Sequence, residues 1–148
     1  MSDVEVLVDY RIRFLNELYH HPDDNETQTL REALQEYFSK AVPSNSFIAW
    51  LAEYDGKVVG TGGMVVWQIP GRYGGLESGR AGYILNMYTI PEARRNGICT
   101  RLLKELTKEA KSLRIRYLHL HASKDGEGIY RKAGFVDPDQ PELKLRIK

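Results

Sequence analysis

The sequence from residue 83 to residue 121 constrains the fold more strongly than any other part of the chain. Residues 83–90 are rich in apolar and β-branched side chains and predict a strand that Pro91 stops. From Ile98 to Leu113 apolar residues recur with the period of a helix of about four turns. Residues 116–121 predict another strand. A strand, a helix and a strand in this order form the crossover that joins two parallel strands, so we expect a mixed α/β sheet.

Two helices and a hairpin are predicted before this segment. Apolar residues at helical spacing predict helices over residues 4–19 and 30–41. Residues 47–52 and 58–67 are rich in aromatic and β-branched side chains, which is typical of buried strands. The Asp55-Gly56 pair between them supplies the positive φ angles of a tight type I′ turn. These strands are therefore expected to form an antiparallel hairpin.

The remaining segments complete the predicted architecture. Residues 69–82 contain a proline and five glycines, so we expect a surface loop suited to act as a lid. Residues 123–133 predict a loop and a short helix, and residues 135–136 and 143–147 predict a final hairpin. The sequence shows no internal repeat or linker, so residues 1–148 are expected to form one domain.

Composition excludes several classes of function. The formal charge of +1 and pI near 7.8 give no global attraction to nucleic acid or to an anionic membrane. No apolar run approaches the roughly 20 residues that cross a bilayer. The single cysteine, Cys99, excludes an intrachain disulfide and a cysteine-based zinc site, and favours a reducing cytoplasm. We therefore expect a cytoplasmic protein with no nucleic-acid partner, no membrane partner and no metal.

The turn between the predicted strand and helix, Arg94 to Thr100, has the composition of an anion-binding site. The first N–H groups of a helix have no intrahelical partner, and the helix dipole adds partial positive charge. Gly97 would let a phosphate approach the backbone closely, with two arginines beside it. The alternative is that Gly97 only permits a sharp turn while the arginines are solvated. Neither the P-loop pattern nor the dinucleotide-binding glycine pattern occurs.

Charge around this turn favours the anion-binding interpretation. Between Arg94 and Arg116 there are eight basic residues and two acidic ones, a local charge of +6, so the rest of the chain carries −5. Such a field favours a ligand with several phosphates. Alternatively, the lysines of the helix are simply solvated.

Three ordered motifs resemble the GNAT-type N-acetyltransferases, whose acetyl-CoA motif is Arg or Gln, two residues, Gly, one residue, then Gly or Ala. Here this motif reads Arg94-x-x-Gly97-x-Cys99. The strand Leu85-Asn-Met-Tyr-Thr-Ile-Pro91 precedes it, and Tyr130-Arg-Lys-Ala-Gly-Phe135 follows, like the family's Tyr-x-Lys-x-Gly-Phe. The resemblance covers most of the chain from Phe47 onward.

The resemblance implies a fold and an activity. The fold would have two N-terminal helices, a central, mostly antiparallel sheet with one parallel strand pair, and two C-terminal helices. The activity would be direct transfer of an acetyl group from acetyl-CoA, the co-substrate, to a primary amine of a small molecule, peptide or protein. An acyl-CoA-binding module without turnover is the alternative. Retention of Tyr130 favours the enzyme, because a module that only binds needs no proton donor for a thiolate.

The resemblance also implies site residues. Backbone amides from Arg95 to Thr100 would hold the CoA pyrophosphate, and Tyr130 would be the general acid that protonates the CoA thiolate; the alternative for Tyr130 is a core aromatic. An N–H near Met87 would polarise the acetyl carbonyl, and the strand from Met87 to Thr89 would pair with the pantetheine arm. The cofactor-binding residues implied are Met87, Tyr88, Thr89, Arg94, Arg95, Asn96, Gly97, Ile98, Cys99, Thr100 and Ser123.

The sequence departs from the family pattern at three places. Cys99 replaces a small residue, and as a thiol at a helix start it could be read as a nucleophile, although direct transfer needs none. Ser123 stands where the family often has an Asn that bonds the pantetheine. The family's first strand is missing or very short, because helical periodicity begins at Val4. The exposed sheet edge would be covered by a second subunit in a homodimer, or by residues 1–3 or 143–147 of the same chain.

The general base and the acceptor pocket are left open by the sequence. His119 and His121 lie two apart on one face of a predicted strand and have suitable acidity, or they pack beside a helix. Arg11 interrupts the apolar stripe of the first helix. Its guanidinium either reaches the acceptor pocket or extends along the edge of the helix into solvent.

Overall fold

The computed structural model describes residues 1–22, 24–74 and 79–148. Its helices and strands follow the chain in this order: α1 (Asp3–Tyr19), α2 (Asn25–Ala41), β1 (Phe47–Tyr54), β2 (Lys57–Gln68), β3 (Arg80–Thr89), a 3₁₀ turn (Pro91–Ala93), α3 (Ile98–Ser112), β4 (Leu118–His119) and α4 (Glu127–Lys132).

Capping side chains set the start of both N-terminal helices. The Ser2 hydroxyl accepts a hydrogen bond from the Glu5 amide at 3.3 Å, and the Glu5 carboxylate accepts one from the Ser2 amide at 2.6 Å. The Asp24 carboxylate accepts from the amides of Glu26 and Thr27 at 3.0 and 3.1 Å. Helix α2 therefore begins five residues before the predicted start, since its first turn carries polar residues that the apolar period does not register.

The sheet has the order β1-β2-β3-β4, with antiparallel pairing except between β3 and β4. The parallel pair joins Gly82 to Leu118 and Tyr83 to His119, which confirms the predicted crossover. Asp55 and Gly56 have φ angles of 50° and 72°, as the predicted type I′ turn requires.

Helices α1 and α2 cover one face of the sheet and α3 covers the other. On the first face Leu7, Val8 and Phe38 pack with Phe47. On the second, the buried side chains of the sheet and α3 pack together: Met64, Ile84, Leu103, Leu106 and Ala110.

A bulge interrupts the pairing of β2 with β3. The register shifts between Thr61 and Gly63, opposite Asn86, which has a φ of 56°. The Thr61 hydroxyl donates to the Asn86 carbonyl at 2.9 Å. Because of this shift, Met87 packs on the α3 face although Leu85, two residues earlier, packs on the α1 face.

Three predicted elements differ from the structure. The predicted C-terminal hairpin is wrong: residues 135–136 and 143–147 form no strand, and Leu143, Leu145 and Ile147 are 89%, 81% and 81% exposed. Alternating apolar residues need a neighbouring strand to pair with, and none lies beside this segment in the described part of the chain. Strand β4 is only two residues long.

The predicted loop over residues 69–82 is shortened, because β3 already begins at Arg80. Residues 75–78 of that loop lie outside the described residues. At the other end of the chain, residues 1–3 contain no strand and α1 begins at Asp3, so the sheet begins with β1. No helix in the described ranges combines the length and apolarity needed to cross a membrane.

Candidate active site

The turn of residues 94–100 presents backbone amides at the start of α3. Gly97 precedes the helix with φ 72°, and no side chain caps it. The first intrahelical hydrogen bond runs from the Arg101 amide to the Gly97 carbonyl at 3.0 Å, so the amides of Ile98, Cys99 and Thr100 lack intrahelical partners. A Cβ on Gly97 would have no atom within 4 Å. An anion therefore has both donors and space at this turn.

Side chains within the turn fix its shape. The Asn96 amide donates to the carbonyls of Ala93 and Arg94, both at 3.1 Å. Arg95 adopts a left-handed conformation with φ 63°. The Asn96 side chain is thus committed to the turn itself, and a ligand would meet the backbone of this residue.

Arg94 has different partners from those the sequence suggests. Its guanidinium pairs with the Glu17 carboxylate at 2.7 Å and its Nε donates to the Thr89 carbonyl at 2.9 Å. It also lies 5.6 Å from the centre of the Tyr88 ring. The expectation that both arginines offer free donors therefore holds better for Arg95, which forms no ion pair within the described ranges. Arg94 instead ties the turn to α1 and β3.

Strands β3 and β4 separate next to this turn. Their ladder ends at Tyr83 and His119, whereas the ladder between β3 and β2 continues to Thr89. The edge of β3 from Met87 to Thr89 therefore has no strand beside it on the β4 side within the described residues. The Thr89 carbonyl of this stretch accepts from Arg94, and the other backbone groups that point away from β2 can pair with an extended molecule that carries amides.

Tyr130 lies on α4 and packs toward the free edge of β3. Its ring contacts Phe135, with centroids 6.0 Å apart, and joins the apolar cluster that includes Met87. Burial, and then the nearby Cys99, raise the pKa of the Tyr130 phenol above its usual value. The phenol is therefore protonated at neutral pH and can donate a proton.

The surroundings of Cys99 and Ser123 bear on the roles that the sequence suggested for these two residues. Burial raises the pKa of the Cys99 thiol, which opposes the reading of Cys99 as a nucleophilic thiolate. The Ser123 hydroxyl accepts from the Gly126 amide at 3.2 Å, and the Ser123 carbonyl accepts from the Glu127 amide at 3.0 Å. Ser123 thus holds the start of α4, which positions Tyr130.

A cleft of about 450 Å³, termed the α1–β3 cleft, lies between α1, β3 and the loop before α4. It brings Met87, Ser123 and Tyr130 together with residues of the first helix. The described residues that line it are Arg11, Phe14, Leu15, Leu18, Tyr19, Tyr83, Ile84, Leu85, Asn86, Met87, Leu120, His121, Ala122, Ser123 and Tyr130.

A chain of three polar side chains reaches this cleft. The Tyr83 hydroxyl is hydrogen-bonded to Nδ1 of His121, and Nε2 of His121 lies 2.7 Å from the Glu142 carboxylate. His119 does not line the cleft. Sequence reasoning proposed both histidines but missed Tyr83 and Glu142, because the contacts join residues 21 and 38 positions apart. An exposed Glu in the C-terminal segment gave no periodic signal.

A larger cavity of about 910 Å³ lies on the other face of the sheet, between β1 and the start of α3. It shares Asn96 and Ile98 with the turn but contains neither Tyr130 nor His121. Its charged side chains include Glu53, Glu92 and Glu105, but neither the edge of β3 at Met87 nor Tyr130 reaches it. The α1–β3 cleft is therefore the better candidate active site.

Comparison with known proteins gives one family. The profile described as the acetyltransferase (GNAT) family matches residues 11–135. A predicted acetyltransferase from Clostridium acetobutylicum, solved with acetyl-CoA, is 35% identical with a TM-score of 0.86; the match covers 97% of this chain and 90% of that one. A GCN5-related N-acetyltransferase from Ralstonia eutropha JMP134 is 22% identical with a TM-score of 0.82, covering 97% and 92%. No curated protein matches significantly.

Proposed function

The chain belongs to the acetyltransferase (GNAT) family and has its fold, and from this premise we propose that residues 1–148 form one N-acetyltransferase domain. It is an acyltransferase, and its proposed reaction is direct transfer of the acetyl group of acetyl-CoA to a primary amine of a small molecule, peptide or protein. The observation that carries the proposal is that one cleft contains both Met87, at the edge of β3 that β4 leaves unpaired, and Tyr130.

The residues present fit acetyl-CoA. Unpaired amides and open space at Gly97 suit its pyrophosphate, and the +6 charge of the surrounding segment suits its phosphates. The free edge from Met87 to Thr89 suits the amides of its pantetheine arm. The related C. acetobutylicum protein was solved with this ligand. When bound, acetyl-CoA supplies an activated thioester; the chain supplies orientation and protons.

Tyr130 is proposed as the general acid. As the thioester bond breaks, the phenol donates its proton to the departing sulfur, while an N–H near Met87 donates to the carbonyl oxygen. The raised pKa keeps Tyr130 protonated at neutral pH but makes the phenol a weaker acid, so its contribution is expected at the lower end for a general acid. Cys99 forms no bond with the acetyl group in this scheme.

The Tyr83, His121 and Glu142 chain is proposed as the general base. The acceptor ammonium loses a proton to the Tyr83 oxygen as the Tyr83 hydroxyl proton passes to Nδ1 of His121. The Glu142 carboxylate accepts a hydrogen bond from Nε2–H and stabilises the imidazolium. The net result is a neutral amine, an unchanged Tyr83 and a protonated His121.

The enzyme is tested by mixing it with acetyl-CoA and a panel of primary amines, while release of the CoA thiol is followed with a thiol reagent. Each primary amine is matched with its N,N-dimethyl derivative, whose nitrogen has no N–H left to lose after attack on the thioester, so that it cannot form a stable amide. We expect thiol release that depends on a primary amine, and an acetylated product by mass spectrometry. Tight acetyl-CoA binding in calorimetry without turnover on any amine would instead support the acyl-CoA-binding module.

A homodimer through the edge of β1 is proposed as well. The eight-residue strand β1 ends the sheet, and no strand covers its outer edge within the described residues. Trp50 and Tyr54 on it are 38% and 76% exposed, and residues 143–147 do not cover this edge. A two-fold pairing with a second copy would satisfy its backbone groups. Light scattering across a concentration series should give twice the 17.0 kDa chain mass; a constant mass near 17.0 kDa would contradict it.

The remaining expectations concern partners and compartment. The near-neutral overall charge and the clustering of eight of the 21 basic residues between Arg94 and Arg116, with no basic strand interleaved with aromatic residues, support a protein without a nucleic-acid partner. The single cysteine supports a reducing cytoplasm. The described residues contain no group of metal-ligating side chains, and the proposed chemistry uses no metal.

A further inference from the structure

Arg11 occupies an unusual position for a helix arginine. It lies on α1, is half-buried, and its guanidinium lies in the α1–β3 cleft, 5.9 Å from the centre of the Phe14 ring. Its sequence neighbour Arg13 points elsewhere and pairs with Asp9 at 2.9 Å. Two positions were considered for the Arg11 guanidinium, the acceptor pocket and the solvent at the edge of the helix. In the structure Arg11 lines the α1–β3 cleft.

No carboxylate neutralises Arg11. Across residues 1–22, 24–74 and 79–148 it takes part in no ion pair, whereas Arg13 and Arg94 each have a carboxylate partner. Burial lowers the pKa of the Arg11 guanidinium, opposed only by the hydroxyl groups of Tyr19 and Tyr83. A cation withdrawn from water normally needs a partner, so an uncompensated guanidinium here indicates that a ligand provides one.

The other residues of the α1–β3 cleft agree with an anionic ligand. No Asp or Glu is among its described lining residues, and Glu142 lies behind His121, to which it is hydrogen-bonded. Beside Arg11, the helix contributes an apolar wall of Phe14, Leu15 and Leu18. The cleft thus offers one fixed positive charge and one apolar surface.

Tyr83 connects Arg11 to the proposed proton acceptor. Its hydroxyl is hydrogen-bonded to His121, and both Tyr83 and Arg11 line the α1–β3 cleft. An amine placed at Tyr83 therefore lies near enough to Arg11 for a second group of the same small molecule to reach the guanidinium.

We propose that the acceptor is a free amino acid with an apolar side chain, bound through its carboxylate by Arg11 while its amine faces Tyr83. A guanidinium matches a carboxylate with two parallel hydrogen bonds, and Phe14 and its neighbours contact the apolar side chain. This proposal rests on the proposed acetyltransferase function and names its substrate class.

The first test compares acceptors that differ only in the carboxylate: L-phenylalanine against 2-phenylethylamine, and L-leucine against 3-methylbutylamine. For the parent protein, kcat/KM should be roughly 10- to 100-fold higher for the amino acid of at least one pair, as expected for hydrogen bonds between charged groups. Arg11→Gln should remove this preference, and Arg11→Lys should restore part of it. Arg13→Gln, on the same helix but outside the cleft, should leave it unchanged.

The second test needs no turnover. Calorimetry of the CoA-bound protein with 3-phenylpropanoate, which has the carboxylate and ring but no amine, should show binding that Arg11→Gln weakens about tenfold or more. Binding lost in Arg11→Gln with no amine acetylated would sustain the anion site and reject the acetyltransferase proposal. Acetylation that is equal or faster for the amines without a carboxylate, with 3-phenylpropanoate binding unaffected by Arg11→Gln, would reject the anion site alone.

Discussion

The turn of residues 94–100 and the α1–β3 cleft are built in opposite ways. The turn is made by consecutive residues and offers mainly backbone amides, while its Asn96 and Arg94 side chains are used to hold its shape. The cleft offers side chains that are distant in sequence, from residues 11, 83 and 121, and His121 is in turn held by Glu142. A backbone site tolerates changes such as Cys99 in place of a small residue. In a site made of side chains, a single substitution can change which ligand binds.

The largest expected effect tests whether the turn works through its backbone. Gly97→Glu should lower CoA affinity by about 100-fold or more, because the added carboxylate would repel the pyrophosphate and would occupy the space that the pyrophosphate needs. Gly56→Glu is the matched control: both glycines have a φ of 72° and open space at the Cβ position, but Gly56 lies in the hairpin turn. Calorimetry with CoA and thermal unfolding measure both.

The two glutamates should cost similar folding stability, since the same left-handed strain arises at each position. Only the Gly97 variant should lose CoA binding. If both variants are folded and both bind CoA like the parent, the pyrophosphate does not lie at this turn.

Tyr130 stands where the two regions meet, and its removal should affect chemistry alone. Tyr130→Phe should lower kcat by about 10²-fold, the lower end for a general acid, with CoA affinity unchanged because the ring packing is kept. Tyr54→Phe, an exposed tyrosine outside the cleft, is the control. Stopped-flow measurement of thiol release separates this step from product release; an unchanged chemical step would leave Tyr130 a packing residue.

The raised pKa of Tyr130 also predicts how kcat depends on pH. A phenol whose pKa exceeds the ordinary value of about 10 keeps its proton throughout the neutral and moderately alkaline range. The parent kcat should therefore not fall between pH 7 and 10 through loss of this acid. An alkaline fall that Tyr130→Phe abolishes would contradict the raised pKa, while supporting proton donation by this phenol.

Sequence reasoning succeeded where the structure depends on neighbouring residues. The crossover between β3 and β4, the turn at Asp55-Gly56 and the helix start after Gly97 follow from local periodicity and turn chemistry, and the structure has all three. The family was recognised from the same local motifs. The site roles of these residues stay predictions.

Contacts between residues that are distant in the chain could not be predicted from the sequence. Glu17 takes the guanidinium of Arg94 from 77 residues away, and nothing in the period of α1 distinguishes Glu17 from any other solvent-facing acid. The alternation of Leu143, Leu145 and Ile147 wrongly predicted a strand. Such a pattern indicates which side chains could share a buried face, but it does not tell whether a neighbouring strand is available to pair with them.

Glu142→Gln tests how much the cleft depends on a partly exposed side chain. The His121 and Glu142 side chains are 62% and 65% exposed, so solvent and salt screen their interaction. We expect kcat/KM to fall about two- to fivefold, the range of an exposed ion pair, and the difference to shrink at high salt. Steady-state assays at two salt concentrations measure it. No change at low salt would remove Glu142 from the proposed base.

The smallest expected effect comes from the ion pair between Glu17 on α1 and Arg94 in the turn, which links the turn to the helix beside the cleft. Glu17→Gln removes the neutralising charge, but Arg94 keeps its bond to the Thr89 carbonyl and Asn96 still closes the turn. The freed positive charge should then tighten CoA binding by about two- to threefold at low salt, within the limit for an exposed pair. Calorimetry at low and high salt checks the direction. Affinity that instead fell tenfold or more would mean that α1 shapes the turn through this side chain, and that the backbone site is not independent of the cleft.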